Sequence, residues 1–288
     1  MSIAFRRLAL GGGGMKGLLH IGVLQELSKN QELKFPDGVY GSSIGSIIAT
    51  YVAFGLPIDN MVPLAKKYLN MEKIVPNPGF SHFIESISNK GFFSMDLFEK
   101  TVVEMFSEAG IDISDKKLND AQMPLYILTS NISKRIPSVL SGNVSVISAL
   151  KCSCCVPAVF KPQELYEQLY LDGDIYSPCI SNIVPIDDTT LVVSLIKQNG
   201  KNINPKNIEK CSAIDYVETL YLSIMLQLYN AQSKPGILHL KYPGLYSTSK
   251  IEDLNIDSIC AYSADSLRTF LTERGYEKST ESSNGGLS

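Results

Sequence analysis

FRRLALGGGGMKGLLHIGVLQELSK, residues 5–29, decides the fold. Its first six residues form an apolar run ending at Leu10, which predicts a short strand. Four glycines, Gly11 to Gly14, then break the run, and residues 16–29 read as a helix. Leu18, Leu19, Ile21, Val23, Leu24 and Leu27 fall on almost every side of that helix. A helix of this kind belongs against a sheet inside an α/β domain. The pattern repeats at once. Asp37 and Gly38 turn the chain into Val39 and Tyr40, a glycine-flanked serine turn follows, and residues 44–54 form an apolar helix closed by Gly55 and Pro57.

Further β-branched, apolar runs at 125–129, 144–147, 191–196 and 237–240 predict strands. Together the pattern predicts an α/β domain with a mostly parallel, helix-covered sheet. Residues 56–120 read as mainly helical, with Ser94 as an N-cap ahead of Leu97, Phe98, Val102, Met105 and Phe106. Residues 216–229 read as a buried or half-buried helix, because Glu218 and Gln227 make the run too polar and too short to span a bilayer. One domain is expected over 1–278, followed by a disordered polar tail over 279–288.

The 26 basic and 29 acidic side chains are nearly balanced and form no cationic stripe, which argues against nucleic acid. Contact with a membrane surface, if transient, would have to rest on apolar groups. Cys152, Cys154 and Cys155 are too crowded for a disulfide framework and lack zinc-site spacing, so no metal and no cofactor is expected. A reducing, cytoplasmic setting fits, with no secretion signal expected ahead of Gly11.

Three motifs carry chemistry. Gly41-Ser42-Ser43-Ile44-Gly45 has the GxSxG pattern, in which flanking glycines allow a strained strand-to-helix turn that exposes the central hydroxyl. Its plain alternative is a helix-capping turn. Gly11-Gly12-Gly13-Gly14-Met15-Lys16-Gly17 sits where a strand meets a helix, so backbone N–H groups converge there and favour negative charge. An oxyanion would be stabilised by about 3 to 4 kcal/mol per donor. The rival is a dinucleotide site, since Gly12, Gly14 and Gly17 also fit GxGxxG with Asp37 about twenty residues on. Leu171-Asp172-Gly173-Asp174 places a carboxylate in a tight turn, a composition that turns need anyway.

In combination and order, GGGMKG, GSSIG and DGD resemble the patatin-like phospholipase family. The stretch SALKCSCCVPAVFKP from Ser148 resembles that family's segment of small residues before a proline and a phenylalanine. The resemblance implies an α/β/α sandwich and hydrolysis of phospholipids or other acyl esters by a Ser-Asp dyad without metal or histidine. It implies Ser43 as nucleophile, Asp172 as proton acceptor, and Gly12, Gly13 and Gly14 as oxyanion donors. Met15, Lys16, Gly17, Gly41, Ser42, Ile44, Gly45, Gly173 and Asp174 complete the motifs. Two departures stand out. Lys16 replaces a more usual arginine, either anchoring the glycine loop or simply solvated. Asp174 replaces a small residue, either opposing the charge of Asp172 or pointing into solvent.

A histidine triad would need a late histidine, and His239 alone satisfies the order. Its place on an expected strand counts against it, as do the helical position of His20 and the polar loop of His82. The remaining alternative is a catalytically silent lipid-binding or interaction module. Phe80, Phe83, Phe92 and Phe93 are read as core rather than as an acyl pocket.

Overall fold

The computed structural model describes residues 4–69, 74, 93–157, 159–196, 203–211, 213–246 and 248–275. The expected polar tail, His82, Phe80, Phe83 and Phe92 lie outside the described residues. Among those described, eight strands form one sheet. They are β1 (Arg7–Leu10), β2 (Val39–Ser42), β3 (Leu125–Asn131), β4 (Ile136–Leu140), β5 (Gln163–Leu165), β6 (Gln168–Asp172), β7 (Thr190–Leu195) and β8 (Leu238–Leu240). The neighbours β3-β2-β1-β7-β8 are all parallel. β4 and β6 pair antiparallel with β3, and β5 with β6.

Flanking helices are α1 (Leu18–Leu27), α2 (Ile44–Ala53), α3 (Met61–Tyr68), α4 (Asp96–Glu108), α5 (Val146–Ser153), α6 (Ala213–Gln232) and α7 (Ile256–Glu273). Strand alternation separates two cores. Leu8, Leu10, Leu191 and Val193 point into the larger one, with α1 and α2, while Ala9 and Val192 point into a smaller one with Ile180, Val184 and Tyr229 of α6. Both faces of the sheet are therefore covered, as parallel strands require. α1 is buried on nearly every side because α7 packs on its outer face. Gly22 permits that approach, since a Cβ there would lie 2.6 Å from the Cys260 Cα.

Two expectations are overturned. Residues 144–147 do not form a strand: Val146 and Ile147 open α5, and the Ser145 hydroxyl accepts from the Ser148 amide at 3.5 Å. A short β-branched run cannot be told from a buried helix start by pattern alone, and the serine N-cap decides it. Ser94 does not cap α4. Its hydroxyl donates to the Asp96 carboxylate at 2.8 Å, and Met95 takes the cap position without a side-chain bond.

One edge of β3 determines the rest. β4 pairs with residues 127–131 of β3 on one side. On the other side β2 pairs with residues 125–128 and β6 with 129–131. A strand has only two edges, so β2 and β6 share one and meet end to end. β2 finishes at Ser42 opposite Leu128, and β6 arrives antiparallel at Asp172 opposite Thr129.

Candidate active site

The chain leaves β2 through Ser43, whose backbone sits at φ 51° and ψ −128°. For a residue with a Cβ this conformation costs on the order of 1–3 kcal/mol and must be held from outside. Three groups hold it. The Ser43 N–H donates to Ser153 Oγ at 2.9 Å, and the Ser46 N–H and Oγ both donate to the Ser43 carbonyl, at 2.8 and 2.6 Å. Ser153 Oγ in turn donates to the Leu128 carbonyl at 2.6 Å, which ties α5 and the turn to β3. The flanking glycines leave room for this packing, since a Cβ on Gly45 would stand 2.7 Å from the Gly11 carbonyl oxygen.

Because β2 and β6 meet end to end, the Ser43 hydroxyl faces the Asp172 carboxylate. Ser43 Oγ donates to Asp172 Oδ2 at 2.7 Å, while Oδ1 accepts the Asp174 N–H at 2.9 Å. The Asp172 N–H donates to the Cys155 carbonyl, and the residue is only 5% exposed. Asp172 is thus an oriented, largely dry carboxylate with one oxygen committed to the turn and the other to the serine.

The glycine loop lies beside them at the end of β1. The Gly11 N–H continues the ladder to Val193, and Gly14 takes φ 57°. His20 is fully buried in α1, and its Nε2 donates to the Gly11 carbonyl at 2.7 Å, so it supports the loop. Lys16 is buried as well, with Nζ donating to the Ile196 carbonyl at 3.1 Å; it fastens the loop to the end of β7 and is not solvated. Met15 is also buried, and Ile44 packs over Gly17 so that the starts of α1 and α2 touch.

Asp174 does not point freely into solvent. It accepts from the fully buried Ser42 hydroxyl at 2.8 Å and presses on the glycine loop: a Cβ on Gly12 would lie 2.5 Å from Asp174 Oδ1. A Cβ on Gly173 would lie 2.6 Å from both Ser42 Oγ and the Leu128 carbonyl oxygen. All three motifs therefore touch one another.

Three contributors escaped the sequence reading. Ser153 and Ser46 support the turn, and nothing marks them among many serines. The third is Tyr221 of α6, whose phenol pKa is pushed up by burial and by the charges of Asp172 and Asp174. The nearby thiols are poor nucleophiles: burial pushes Cys152 up to about 12, burial and the Asp172 charge push Cys155 up to about 12, and Cys154 is also raised. All six cysteines are free.

The competing constellations separate. His239 stands on β8, with β1 and β7 between it and β2, and bonds to Tyr229 and Ser233 at 2.6 and 3.2 Å. Burial also lowers its pKa. Asp37, which a ribose site would need, is held by the Arg6 guanidinium through two bonds of 2.9 Å. Among the described residues no cluster of three His, Cys, Asp or Glu groups could hold a metal, and no helix is long and apolar enough to cross a membrane. Phe93 packs against the larger core. A polar cavity of about 250 Å³ lined by Glu99, Lys151 and Gln163 includes neither Ser43 nor Asp172.

A family model described as patatin-like phospholipase matches residues 8–188, which span all three motifs. An uncharacterized protein of Acanthamoeba polyphaga mimivirus is 29% identical over 58% of this chain and 57% of its own length. Triacylglycerol lipase ptl3 of Schizosaccharomyces pombe is 28% identical over 61% of this chain and 38% of its own. The chain spans little more than half the length of these curated relatives, or less. Among solved structures, VipD from Legionella pneumophila superposes with a TM-score of 0.53 at 15% identity, covering 93% of this chain and 67% of that one, a likeness of fold.

Proposed function

Because this chain belongs to the patatin-like phospholipase family, we propose that it hydrolyses carboxylic esters of lipids through Ser43 and Asp172. The observation that carries the reading is the 2.7 Å hydrogen bond from Ser43 Oγ to a buried, oriented carboxylate. In the forward step Ser43 Oγ attacks the acyl carbonyl as its proton passes to Asp172 Oδ2. The carbonyl oxygen becomes an oxyanion facing the amides of Gly12, Gly13 and Gly14. Collapse expels the alcohol, which takes the proton from Asp172, and leaves an acyl-serine. Water then attacks that ester, gives its proton to Asp172, and the fatty acid departs as the proton returns to Ser43.

The triacylglycerol lipase among the relatives acts on an acyl ester of this class, and the fit to phospholipid or neutral glyceride is chemically equivalent at the carbonyl. One observation favours a silent module instead, namely the Asp174 carboxylate pressed against Gly12, where negative charge would oppose an oxyanion. A fluorophosphonate probe separates the two readings. Covalent labelling of Ser43, absent in Ser43→Ala and strongly reduced in Asp172→Asn, is the expected result. Folded protein that takes no label would establish the silent module.

A further inference from the structure

α6 is anchored at one end. Its second half carries Met225 and Tyr229, both buried, and Gln232, whose Nε2 donates to the Tyr176 carbonyl at 2.7 Å. Between Tyr216 and Ile224, among the side chains described, large apolar groups face outward. Tyr216, Leu220 and Ile224, spaced four residues apart on one face, are 45%, 46% and 66% exposed. Tyr221, on the flank of that face and in line with the buried Met225 and Tyr229, is 40% exposed and within reach of the charges of Asp172 and Asp174. The exposed stripe therefore adjoins the side of α6 that turns toward the sheet and its two carboxylates.

We propose that this face of α6 docks the protein onto a lipid surface of uncharged or zwitterionic headgroups and delivers single lipids to Ser43. The inference rests on the acyl-ester reading above. Three features identify the occupant. First, Tyr221 carries the stripe round toward the carboxylates, so whatever seats on it must leave the site reachable. A second protein copy there would cover the mouth, whereas a lipid layer brings the ester to it. Second, residues 216–232 contain no Lys or Arg and a single charge, Glu218, so this stretch offers anionic headgroups no counter-charge. Third, the outward residues are tyrosine, leucine and isoleucine, with Ser223 exposed beside Ile224 and Gln227 and Asn230 exposed farther along the helix. Aromatic and aliphatic groups ahead of polar ones suit the boundary between headgroups and acyl chains.

The test uses the full chain, phosphatidylcholine vesicles, and a water-soluble short-chain p-nitrophenyl ester. Leu220→Glu and Ile224→Glu should each weaken vesicle co-sedimentation and hydrolysis of vesicle lipid tenfold or more, with short-ester turnover kept within twofold. Both side chains are exposed, and the milder pair Leu220→Ser and Ile224→Ser should give smaller losses in the same order. Binding should be indifferent to added salt and to anionic lipid. Unchanged vesicle binding in the glutamate variants would overturn the proposal. So would binding driven by anionic lipid, or a solution dimer that these substitutions convert to monomer. Ser43→Ala keeps the two readings apart: it should bind vesicles like the parent while losing both hydrolytic activities. Retained short-ester hydrolysis in that variant would refute the dyad and leave the docking result standing.

Discussion

Adding a single methyl to the glycine loop tests the contact between Gly12 and Asp174. Gly12→Ala leaves the backbone in a region an alanine accepts, and the nearest obstacles to the new methyl are the atoms of the Asp174 carboxylate, at 2.5 Å for Oδ1. Ordinary contact begins near 3.4 Å, so the loop or the carboxylate must retreat by about 1 Å. If the carboxylate moves, its 2.8 Å bond from Ser42 stretches to about 3.8 Å and is lost. If the loop moves, its amides shift by the same distance from the oxyanion. Displacement on this scale costs about 10²-fold in rate, equivalent to about 2.7 kcal/mol of transition-state stabilisation. The assay is kcat on a short-chain ester for the parent, Gly12→Ala, Asp174→Gly and the double variant. Gly12→Ala should lose about 10²-fold in kcat, and the double variant should return to within about tenfold of Asp174→Gly alone, because its methyl now has room. A double variant as slow as the product of the two single effects would refute the contact as the cause.

Other substitutions probe the supports. Ser153→Ala removes the acceptor for the Ser43 N–H and should destabilise the protein by about 1–3 kcal/mol in urea unfolding, the cost of an unpaired buried donor. It should also slow fluorophosphonate labelling, since the strained turn loses a tie. His239→Gln should leave esterase activity within about threefold, because the ring bonds to Tyr229 and Ser233, with two strands between it and β2; loss of activity by 10²-fold would bring back a histidine base. Glu26 joins α1 to α7. Burial pushes its pKa up, but hydrogen bonds from Lys29 and Arg268 outweigh it and hold the carboxyl below 4.5. Its folded value thus lies under its unfolded one, so its contribution is complete above about pH 4.5 and is lost as pH falls through the folded value. Glu26→Gln should lower Tm at pH 7, and the gap from the parent should close on acidification.

Much of this architecture was legible because the early motifs place glycines where only glycines fit. The loop after β1 and the turn after β2 announce two strand-turn-helix units, and periodicity then places α1 and α2 within a residue or two of their bounds. The antiparallel part was hidden. β4 contains Pro137, tolerable because it lies on the far edge of β3, and β5 reads as polar loop. The outward face of α6 was hidden for another reason: its apolar run suggests burial, and only the fold shows which side faces solvent. For the site, the GxSxG pattern marked Ser43 and the family resemblance added Asp172, whereas a sequence separation of 129 gave no distance between them. Asp174 was legible as a departure but not as a bond to Ser42, which depends on the turn's direction.

The meeting of β2 and β6 on β3 makes that strand a ruler for the chemistry. Leu128 marks where one reactant's strand stops and Thr129 where the other's begins, so the gap between alcohol and acid is counted in residues rather than built from contacts. Inserting one residue at that point would part the pair by about 3.3 Å and turn the following side chains to the opposite face. Composition along β3 can drift while the sheet survives; its length between those two marks cannot, and any descendant that altered it would keep a stable body with its two reactants out of reach of each other.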